Sequence, residues 1–550
     1  ATTEIYTLSL HDALPISRED AKKSLNYLNE ASQGEKDHDQ QRRIAILKAE
    51  CYDILSEQEK GKEILNEVLS NQDHVDLYLA YANLEKDLNS RLSWINKALR
   101  IYKLKPIEIS FSNGNDPYRH ISTKQVSQSE KKVEKQPLVS IIIPAYNAGE
   151  DISIAIESLL EQTWKNIEII VVDDCSTDNT REMVEQYITQ DARVKLFSTP
   201  KNSGPYVARN IGLKEAVGEF VTINDSDDWS HAEKIEIQAK HLIENEKIVA
   251  NTSEHARITE EGLKFFRRGN PGRYVFSNMS SIMFRRVPVL EKIGYWDSVR
   301  FAGDGEFKRR IIKVFGAKKF VDLNTGPLSF PRQAINSLTG SSAFGYRGFF
   351  MGARKEYVEA MEFHYKKANF YYPFPSQERP FPVPEPMWID REDTQSGRRH
   401  FDVVVASDFR KIEQEDLMYF ENLLMSIEED GRIGLVQMNK YDLNLPKEIS
   451  IEIRRLIDGR KIQMLVYGEY ISTDRLVILD IATLLEKQKY IPDINVNDIT
   501  VVMREVLDNN SFNHALQNVK TYFGSLGLLY PFDDHIQKLI EEMRIEGISV

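Results

Sequence analysis

Between residues 137 and 335 the chain alternates short apolar runs with helical patterns, and this alternation restricts its possible folds more than any other feature. VSIIIPAYN, IEIIVVDD and EFVTIN each hold an apolar run with the length of a buried strand. The first of them is followed by apolar residues at the three- and four-residue spacing of an amphipathic helix. Strands that alternate with helices are typical of parallel sheets. The sequence therefore predicts an α/β domain in this region.

Two acidic clusters directly follow two of these predicted strands. Asp173 and Asp174 end IEIIVVDD, and Asp225, Asp227 and Asp228 follow EFVTIN. In open α/β sheets the ligand crevice lies at the carboxyl ends of the strands. Carboxylates that converge there repel one another unless a cation or a hydrogen-bonding ligand lies among them. Mg²⁺ or Mn²⁺, bound by one or two carboxylates and by substrate phosphates, meets this need, so we expect a metal–diphosphate ligand. Solvated loop acids are the alternative explanation for either pair alone.

Two further patterns predict helix starts close to acidic residues. Ser230 and Glu233 have the S-x-x-E spacing of a capping box, which predicts a helix immediately behind the acidic turn. Asp304 precedes the helical pattern KRRIIKVFG and could cap that helix. A capping role for Asp304 does not exclude a catalytic one.

Four motifs in a fixed order resemble an inverting family-2 glycosyltransferase of the GT-A fold. They are PLVSIIIPAYN, EIIVVDDCSTDNT, NSGPYVARNIGLKEAVGEFVTINDSDDW and AGDGEF, and together they cover roughly residues 137–335. The resemblance implies a nucleotide-diphosphate sugar as the donor. The residues that it places at the nucleotide sugar are Pro144, Ala145, Tyr146, Asn147, Asp173, Asp174, Asn202, Arg209, Asp225 and Ser226.

The resemblance also implies individual roles for the acidic residues. Asp173, together with Asp174, would bind the base. Asp225 would contact the ribose or the metal, and Asp227 would be the main ligand of Mn²⁺ or Mg²⁺. Asp304 stands at the place of the catalytic carboxylate. As a general base it would deprotonate the acceptor hydroxyl during attack on the anomeric carbon, while the metal stabilises the leaving diphosphate.

Three further features refine this expectation. Glu306 is a second catalytic candidate, expected to orient or bind the acceptor. Arg332 and the SLTG segment at 337–340 could form a lid over the diphosphate, since arginine suits phosphate. No Q-x-x-R-W motif follows and no membrane span is present, so we expect the addition of one or a few sugars rather than processive synthesis.

The regions before the α/β domain divide into three. Residues 1–16 resemble the translation of a sequencing adapter and are excluded from fold reasoning as an artefact. Residues 17–105 show helical spacing that resembles tetratricopeptide-type helix pairs, and they form either a docking domain for a protein partner or a plain helical prefix. Residues 106–136, rich in Ser, Asn, Gly and Lys, are predicted to be a linker.

The regions after it divide into two. Residues 336–400 are predicted to be a helical connector that ends in a stretch rich in proline and aromatic residues. Residues 401–550 contain five strand-like runs separated by helical patterns, so we predict a Rossmann-like domain that resembles one half of a GT-B glycosyltransferase. It lacks a G-x-G-x-x-G motif and a P-loop. We expect it to be truncated, or else a docking and acceptor-recognition domain.

Composition excludes several classes of protein. The net charge of −13, from 71 basic and 84 acidic residues, argues against binding to nucleic acid. The two cysteines, Cys51 and Cys175, rule out a disulfide scaffold. No run approaches the ~18 to 20 apolar residues of a membrane-spanning helix. We therefore expect a cytoplasmic enzyme, or one at the inner face of the plasma membrane.

The predicted function is transfer of a sugar to a glycan or lipid-linked acceptor, which the resemblance assigns to bacterial surface polysaccharide or teichoic acid assembly. A sugar nucleotidyltransferase is the first alternative, but it would need a Gly-rich basic loop after the first strand, and PAYNAGED is neither. A catalytically inactive scaffold is the second alternative. The intact residues Asp173, Asp225, Asp227 and Asp304 argue against it.

Overall fold

The chain divides into two compact units, Ala1–Ser298 with Gly303–Ala334 and Val299–Ala302 with Ile335–Val550. A computed structural model describes residues 17–110, 116–124, 136–259, 261–267, 272–332, 343–345, 352–367, 369–376, 378–392, 394, 396–428, 430–440, 444–504, 507–524 and 528–531. Of the two compact units, the former is the first unit and the latter is the second unit.

Five helices begin the described part of the first unit. They are α1 (Arg18–Ser32), α2 (His38–Leu55), α3 (Gln58–Leu69), α4 (Val75–Leu84) and α5 (Leu88–Ile101). Acceptor side chains cap four of them: Ser17 accepts from the backbone N–H of Asp20, Asp37 from that of Gln40, His74 from that of Asp76, and Asp87 from that of Ser90. Such caps satisfy backbone donors that have no partner within the helix. The predicted helical region is therefore present.

The segment predicted to be a linker contains regular structure. Strands β1 (Ile107–Ile109) and β2 (Ile121–Thr123) pair antiparallel, and a short 3₁₀ helix, Pro117–His120, precedes β2. Tyr118 in this helix is completely buried. The linker prediction is therefore wrong for β1, for the 3₁₀ helix and for β2. It rested on the polar composition of residues 106–136 as a whole, which gave no weight to the few apolar side chains that enter the core.

A mixed sheet of eight strands forms the centre of the first unit. Its order is β11-β8-β10-β6-β3-β4-β5, and β9 pairs with β8 outside this path. Neighbours among β3, β4, β5 and β6 are parallel, whereas β10 runs antiparallel to β6 and β8. The strands are β3 (Val139–Ala145), β4 (Ile167–Asp173), β5 (Val194–Ser198), β6 (Phe220–Ile223), β8 (Ala250–Ala256), β9 (Val275–Ser277), β10 (Met283–Arg285) and β11 (Phe320–Pro327).

Helices connect these strands as the alternating pattern predicts. They are α6 (Ile152–Leu160), α7 (Thr180–Gln190), α8 (Pro205–Glu215), α9 (Lys234–Glu244), α10 (Arg286–Lys292) and α11 (Gly303–Phe315). A separate two-stranded sheet pairs β7 (Trp229–Ser230) with β12 (Ser329–Phe330). Gly212 lets α8 lie directly on β3, because a Cβ at this position would stand 2.5 Å from a methyl carbon of Ile142.

The N-terminal helices and the sheet region share one hydrophobic core. Buried members from the helices are Ile46, Leu65, Leu77 and Ile95, and they belong to the same cluster as Trp229, Phe265, Tyr274 and Phe330. Polar contacts reinforce this interface. Asp76 accepts hydrogen bonds from the backbone N–H groups of Tyr274 (2.7 Å) and Val275 (3.1 Å). The helices are therefore part of the same compact unit as the sheet rather than a separate domain.

A six-stranded parallel sheet forms the second unit. Its order is β15-β14-β13-β16-β17-β18, which is the 3-2-1-4-5-6 order of doubly wound folds. The strands are β13 (Arg399–Ser407), β14 (Ile433–Gln437), β15 (Ile462–Met464), β16 (Tyr470–Ile478), β17 (Asp493–Met503) and β18 (Leu528–Pro531). The fold class predicted from the sequence, including the Rossmann-like C-terminal part, is confirmed.

In the described residues of this unit, four helices accompany the sheet, and the predicted connector belongs to the same unit. The helices are α12 (Ala353–His364), α13 (Gln414–Ser426), α14 (Ile451–Leu456) and α15 (Asn509–Phe523). Within the proline- and aromatic-rich stretch, Phe381, Val383 and Met387 are buried. Glu356 on α12 forms a buried ion pair with Arg454 on α14. The connector therefore packs against the sheet domain that follows it.

Among the described residues, no helix combines the length and the apolar character needed to cross a bilayer.

Candidate active site

A buried polar network supports the acidic turn that follows β6. The side-chain amide of Asn224 donates to the backbone oxygens of Asp225 (3.0 Å) and Asp228 (3.1 Å). The amide oxygen of Asn224 in turn accepts from Ser230 Oγ (2.7 Å) and from Lys234 Nζ (2.8 Å). Because these groups are buried, each hydrogen bond fixes the turn more firmly than it would at the surface.

The expected capping box behind this turn is absent. Helix α9 begins at Lys234, and its N-cap Glu233 makes no capping bond through its side chain. Ser230 lies in β7, and its hydroxyl bonds to Asn224 instead. Glu233 accepts a hydrogen bond from the backbone N–H of Lys105 at 2.8 Å. The capping-box prediction was wrong because tertiary partners outcompete the local ones.

The acidic turn concentrates negative charge in a partly shielded place. Burial and the charge of Asp225 raise the pKa of Asp227 to about 6. Burial lowers the pKa of Lys234 to about 8, so this ammonium still carries a charge at neutral pH behind the turn. Asp228 is buried, and burial raises its pKa well above the usual range. Asp225 and Asp227 are therefore the carboxylates of the turn that remain accessible.

Arg209 joins the acidic turn to Asp304. Its Nη2 donates to Asp225 Oδ1 at 2.8 Å, and its Nη1 donates to Asp304 Oδ1. Only 4% of the Arg209 side chain is exposed. Burial alone would lower the pKa of this guanidinium, but the charges of Asp304 and Asp225 outweigh burial and raise it. A permanently charged arginine thus holds two carboxylates that are distant in sequence.

Tyr206 contacts Asp304 from the same face of α8 as Arg209. Its hydroxyl donates to Asp304 Oδ2 at 2.8 Å and accepts from the Asp304 backbone N–H at 3.1 Å. Gly303 permits this approach, because a Cβ there would stand 2.9 Å from the Tyr206 ring. Burial raises the pKa of Asp304, and the charge of Arg209 opposes this shift. Asp304 lies in the first turn of α11 rather than at its N-cap.

Asp173 and Asp174 have different surroundings at the end of β4. Asp173 accepts from the backbone N–H of Ser176 at 3.1 Å and pairs with Arg181 at 3.4 Å. Asp174 accepts from Thr199 Oγ1 (2.8 Å) and from the backbone N–H groups of Ser203 (2.8 Å) and Gly204 (2.7 Å).

The hydrogen bonds of Asp174 give it a structural task. They hold the turn before α8, in which Gly204 has a φ of +89° that favours glycine. Asn202, predicted to line the crevice, lies in this turn and donates to the backbone oxygen of Asp174 at 3.4 Å. Asp174 therefore positions the α8 N-terminus.

The loop after β3 is bound to the loop after β4. Pro144 and Ala145 are buried at the end of β3, whereas Tyr146 is 50% exposed. The backbone N–H of Asn147 donates to Ser176 Oγ (2.9 Å), and its side-chain oxygen accepts from the Thr177 N–H (2.8 Å). Ser226 is partly exposed in the acidic turn itself.

The predicted nucleotide residues follow neighbouring strands at one edge of the sheet. Strand β3 pairs on one side with β4 and on the other with β6. Adjacent strands lie ~4.8 Å apart, so Asp173 and Asp225 follow strands separated by about 10 Å. At the carboxyl end of β3, Asp173 therefore lies on one side and the acidic turn with Asp225 lies on the other.

Glu306 does not belong to this crevice. It lies two residues after Asp304 on α11, and positions two apart point to nearly opposite sides of a helix. Its side chain is completely buried and pairs with Arg310 at 2.7 and 3.0 Å. Arg310 also donates to the backbone oxygens of Ile293 and Tyr295. Glu306 therefore holds Arg310 in the core, and this buried pairing does not agree with the catalytic role expected for it.

The acidic turn offers two carboxylates to a metal ion. No group of three or more His, Cys, Asp or Glu side chains suited to a metal occurs in the described ranges. Asp225 and Asp227 alone would leave most coordination positions to other oxygens. Mg²⁺ and Mn²⁺ accept such a set when substrate phosphates complete it. The donors present therefore fit an ion that arrives with a diphosphate.

Arg332 is engaged within the first unit. It bonds to Asp151 and its guanidinium lies 6.0 Å from the centre of the Tyr118 ring. The SLTG segment at 337–340, the other part of the expected lid, lies outside the described residues.

Sequence reasoning missed four residues that hold this site. Asn224, Lys234 and Tyr206 lie within or beside the recognised motifs, but no spacing rule identifies their partners. Tyr118 lies in the expected linker, and its hydroxyl is 2.7 Å from the backbone oxygen of Phe330 and 3.2 Å from that of Asp227. It also accepts from the backbone N–H of Trp229 at 3.0 Å. These contacts span more than 100 residues, so no local pattern could reveal them.

Residues 140–288 match the family model described as Glycosyl transferase family 2. An uncharacterized glycosyltransferase of Haemophilus influenzae is 37% identical over 159 residues, which cover 29% of this chain and 56% of the relative. The putative teichuronic acid biosynthesis glycosyltransferase TuaG of Bacillus subtilis is 43% identical over 109 residues, covering 20% and 43%. The UDP-Glc:alpha-D-GlcNAc-diphosphoundecaprenol beta-1,3-glucosyltransferase WfgD of Escherichia coli is 45% identical over 108 residues, covering 20% and 42%. The chain spans little more than half, or less, of the length of these relatives.

Proposed function

We infer that this chain, whose residues 140–288 form a family-2 glycosyltransferase domain, transfers a sugar from a nucleotide-diphosphate donor to a glycan or lipid-linked acceptor with inversion. The observation that carries this proposal is the bridge through Arg209. It brings Asp304, the proposed base, next to the acidic turn that would receive the donor diphosphate. A single displacement by the acceptor oxygen inverts the anomeric carbon and needs no covalent intermediate on the enzyme.

Asp304 has the surroundings of a positioned general base. Arg209 and Tyr206 each take one lone pair of its carboxylate, on different oxygens. An ionised carboxylate has about four acceptor sites, so capacity remains for the acceptor hydroxyl. Burial raises the pKa of Asp304 and the charge of Arg209 opposes this rise, so the carboxylate would be a stronger base than an exposed aspartate while Arg209 supports its ionised form.

Asp227 and Asp225 would hold Mn²⁺ or Mg²⁺. When bound, such an ion neutralises charge on the leaving nucleoside diphosphate. Asp173 would bind the base at the other side of the β3 end, with the loop 144–147 beside the nucleotide. Asn202, Arg209 and Ser226 would complete the donor side of the crevice, and Asp174 would hold its loop in place.

The relatives support a role in surface-polymer assembly. One is named for teichuronic acid biosynthesis, and another for transfer from UDP-Glc to a diphosphoundecaprenol-linked sugar. By this similarity we propose a sugar nucleotide such as a UDP-sugar as donor and a lipid-linked glycan as acceptor. A lipid-linked acceptor would bring the enzyme to the inner face of the plasma membrane.

The test is acceptor-dependent release of nucleoside diphosphate by the full chain, measured with a panel of UDP-sugars, MnCl₂ and lipid-linked saccharide acceptors. We expect release with at least one pair, and its loss in Asp304→Asn with donor binding retained. Asp191→Asn, directly after α7, where the half-buried carboxylate pairs with Arg193, is the matched control. Asp304→Asn with full transfer would disprove the assignment of the base.

The same reaction mixtures separate the two alternatives. Pyrophosphate formed from a nucleoside triphosphate and a sugar phosphate would identify a nucleotidyltransferase. Donor binding without turnover for any acceptor would favour an inactive scaffold.

A further inference from the structure

A crevice of about 360 Å³ lies at the carboxyl ends of the strands in the second unit. Ser407 ends β13, and Asp480 and Arg504 follow β16 and β17. From β13 the chain first adds β14 and β15 on one side of the sheet, and then adds β16, β17 and β18 on the other side. The direction in which strands are added therefore reverses between β13 and β16. This reversal opens a crevice in which doubly wound folds bind their ligands. Its volume lies within the ~300–1,000 Å³ of small-molecule sites.

Charged side chains of both signs line this crevice. The other lining residues are Asp408, Lys411, Glu413, Asp416, Lys440 and Leu445. Two ion pairs join segments that follow different strands: Lys440 with Asp480, and Arg504 with Asp416. The Lys440 side chain is 38% exposed and that of Arg504 is 21% exposed. Donors and acceptors therefore alternate along the wall and remain within reach of a ligand.

The first turn of α13 excludes the usual diphosphate mode of such folds. Dinucleotide sites place a pyrophosphate on a glycine-rich turn at the helix N-terminus. Here Glu413 and Asp416 form a reciprocal capping box that uses the backbone N–H groups of these two residues. Two carboxylates at this position would also repel a phosphate. The turn between β13 and α13, DFRKIE, contains no glycine.

The balance of charges along the crevice also argues against an anionic ligand. The lining includes four acidic residues and three basic ones. Asp408 is almost fully buried and satisfied, since Arg410, Gln437 and the Lys440 backbone N–H all donate to it. The third lining cation, Lys411, pairs with Glu413 at 3.0 Å. An anionic ligand would have to compete with a carboxylate for each of the three cations. A neutral ligand with hydroxyl groups can accept from the cations and donate to the carboxylates while all three ion pairs persist.

We propose that this crevice binds a neutral, hydroxyl-rich ligand, namely a sugar unit of the acceptor glycan. The polar wall and the capped helix define the chemistry of the ligand, and its identity as acceptor sugar rests on the proposed function. The second unit would then recognise the acceptor through a site separate from the residues of the donor crevice.

The test is saturation-transfer NMR on the full chain with a panel of methyl hexosides, methyl N-acetylhexosaminides and their disaccharides. We expect at least one of these probes to bind. Leu445→Trp, which fills the crevice and leaves every charged group in place, should weaken binding about tenfold or more. Lys440→Ala should weaken it similarly, because it removes one donor and one ion pair. Lys447→Ala, an exposed neighbour that does not line the crevice, is the matched control.

Three outcomes would overturn the proposal. They are the absence of binding by every glycoside in the panel, unchanged binding in Leu445→Trp, and displacement of the sugar by sodium pyrophosphate. Thermal unfolding of each variant identifies any loss of fold, and Lys440→Ala provides a second reading if Leu445→Trp unfolds. Asp304→Asn should bind the glycosides normally while losing transfer. Failure of the proposed function thus appears as absent transfer in the parent chain, and failure of this proposal as absent or misplaced sugar binding.

Discussion

The protonation of Asp304 depends on the two side chains that hold it. The Tyr206 hydroxyl donates to its carboxylate, and Arg209 adds a positive charge, so both lower the pKa that burial raises. A general base must be ionised to act, so under the proposed role the pKa of Asp304 should set the acidic limb of the pH profile. Loss of either contact should therefore move the acidic limb of the pH profile to higher pH and should also lower the rate.

Tyr206→Phe should move the acidic limb of the kcat/KM profile upward by about one pH unit, since a hydrogen bond to a charged group contributes ~1.5–3 kcal/mol and burial then acts with less opposition. The measurement is nucleoside diphosphate release between pH 5 and 9. Tyr187→Phe, which removes a surface hydrogen bond to Glu157, should leave the limb unchanged. A downward shift in Tyr206→Phe would contradict the geometry at Asp304.

Asp227 and Asp225 give the proposed metal site only two protein ligands. Asp227→Asn should therefore raise the half-saturating Mn²⁺ concentration by tenfold or more, because each ligand of a sparse set contributes strongly. EDTA should abolish transfer by the parent chain, and added Mn²⁺ should restore it. The readout is transfer rate against Mn²⁺ concentration, with Asp191→Asn as the control. Full transfer in EDTA would exclude the metal.

At the scale of elements, the turn after β6 depends on a residue far away in sequence. Tyr118 connects this turn with β7 and β12 through three backbone groups. Burial raises the pKa of Tyr118 well above its usual value, so the phenol stays neutral and can donate and accept at once. The short 3₁₀ helix at Pro117–His120 is thus a support for the acidic turn.

Tyr118→Phe should destabilise the first unit by about 1–3 kcal/mol, because it leaves the Trp229 N–H and two carbonyl groups without their buried partner. It should also raise the Mn²⁺ requirement, since Asp227 would be held less firmly. Urea unfolding and Mn²⁺ titration measure the two effects, and Tyr187→Phe is again the control. Unchanged stability together with an unchanged Mn²⁺ requirement would refute this role.

The same elements show which features the sequence can predict. The strands and their acidic ends follow from local periodicity: Asp173 ends β4, and Asp225 and Asp227 lie in the turn after β6. The site roles of Arg209 and Asp304 came from the family resemblance and stay predictions. The capping box predicted from Ser230 and Glu233 is absent because these side chains bind Asn224 and the backbone of Lys105 instead. Neither partner belongs to the local S-x-x-E pattern. The role predicted for Glu306 does not agree with its buried pairing with Arg310. A motif gives the spacing of residues along the chain, but it does not give the side of α11 on which a residue lies. Tyr118 gave no signal, since its partners are more than 100 residues away.

At the scale of the whole molecule, the first unit folds around a core that crosses the expected domain boundaries. Asn83 on α4 exchanges two hydrogen bonds of 2.7 Å with the backbone of Phe265, and Glu50 on α2 pairs with Arg267. Apolar side chains from both regions complete this contact. The helices therefore cover apolar surface of the sheet region that water would otherwise reach.

A fragment of residues 137–335 should consequently expose this surface and aggregate, whereas a fragment of residues 17–335 should be monodisperse and unfold cooperatively. The reason is that Trp229, Phe265, Tyr274 and Phe330 lose their cover when the helices are removed. Size-exclusion chromatography and thermal unfolding distinguish the two fragments. A soluble, cooperatively unfolding 137–335 fragment would show that the helices are dispensable.

The shared core also limits how freely residues 140–288, which match the family model, can be exchanged between proteins. A chimaera that replaced residues 140–288 with the corresponding stretch of a relative would have to bring its backbone to the same positions beside Asp76 and Asn83. Where the grafted backbone follows another path, one carboxylate and one amide would lose their partners at a buried interface. Recombination of this segment would therefore succeed only when the graft fits the helices that receive it.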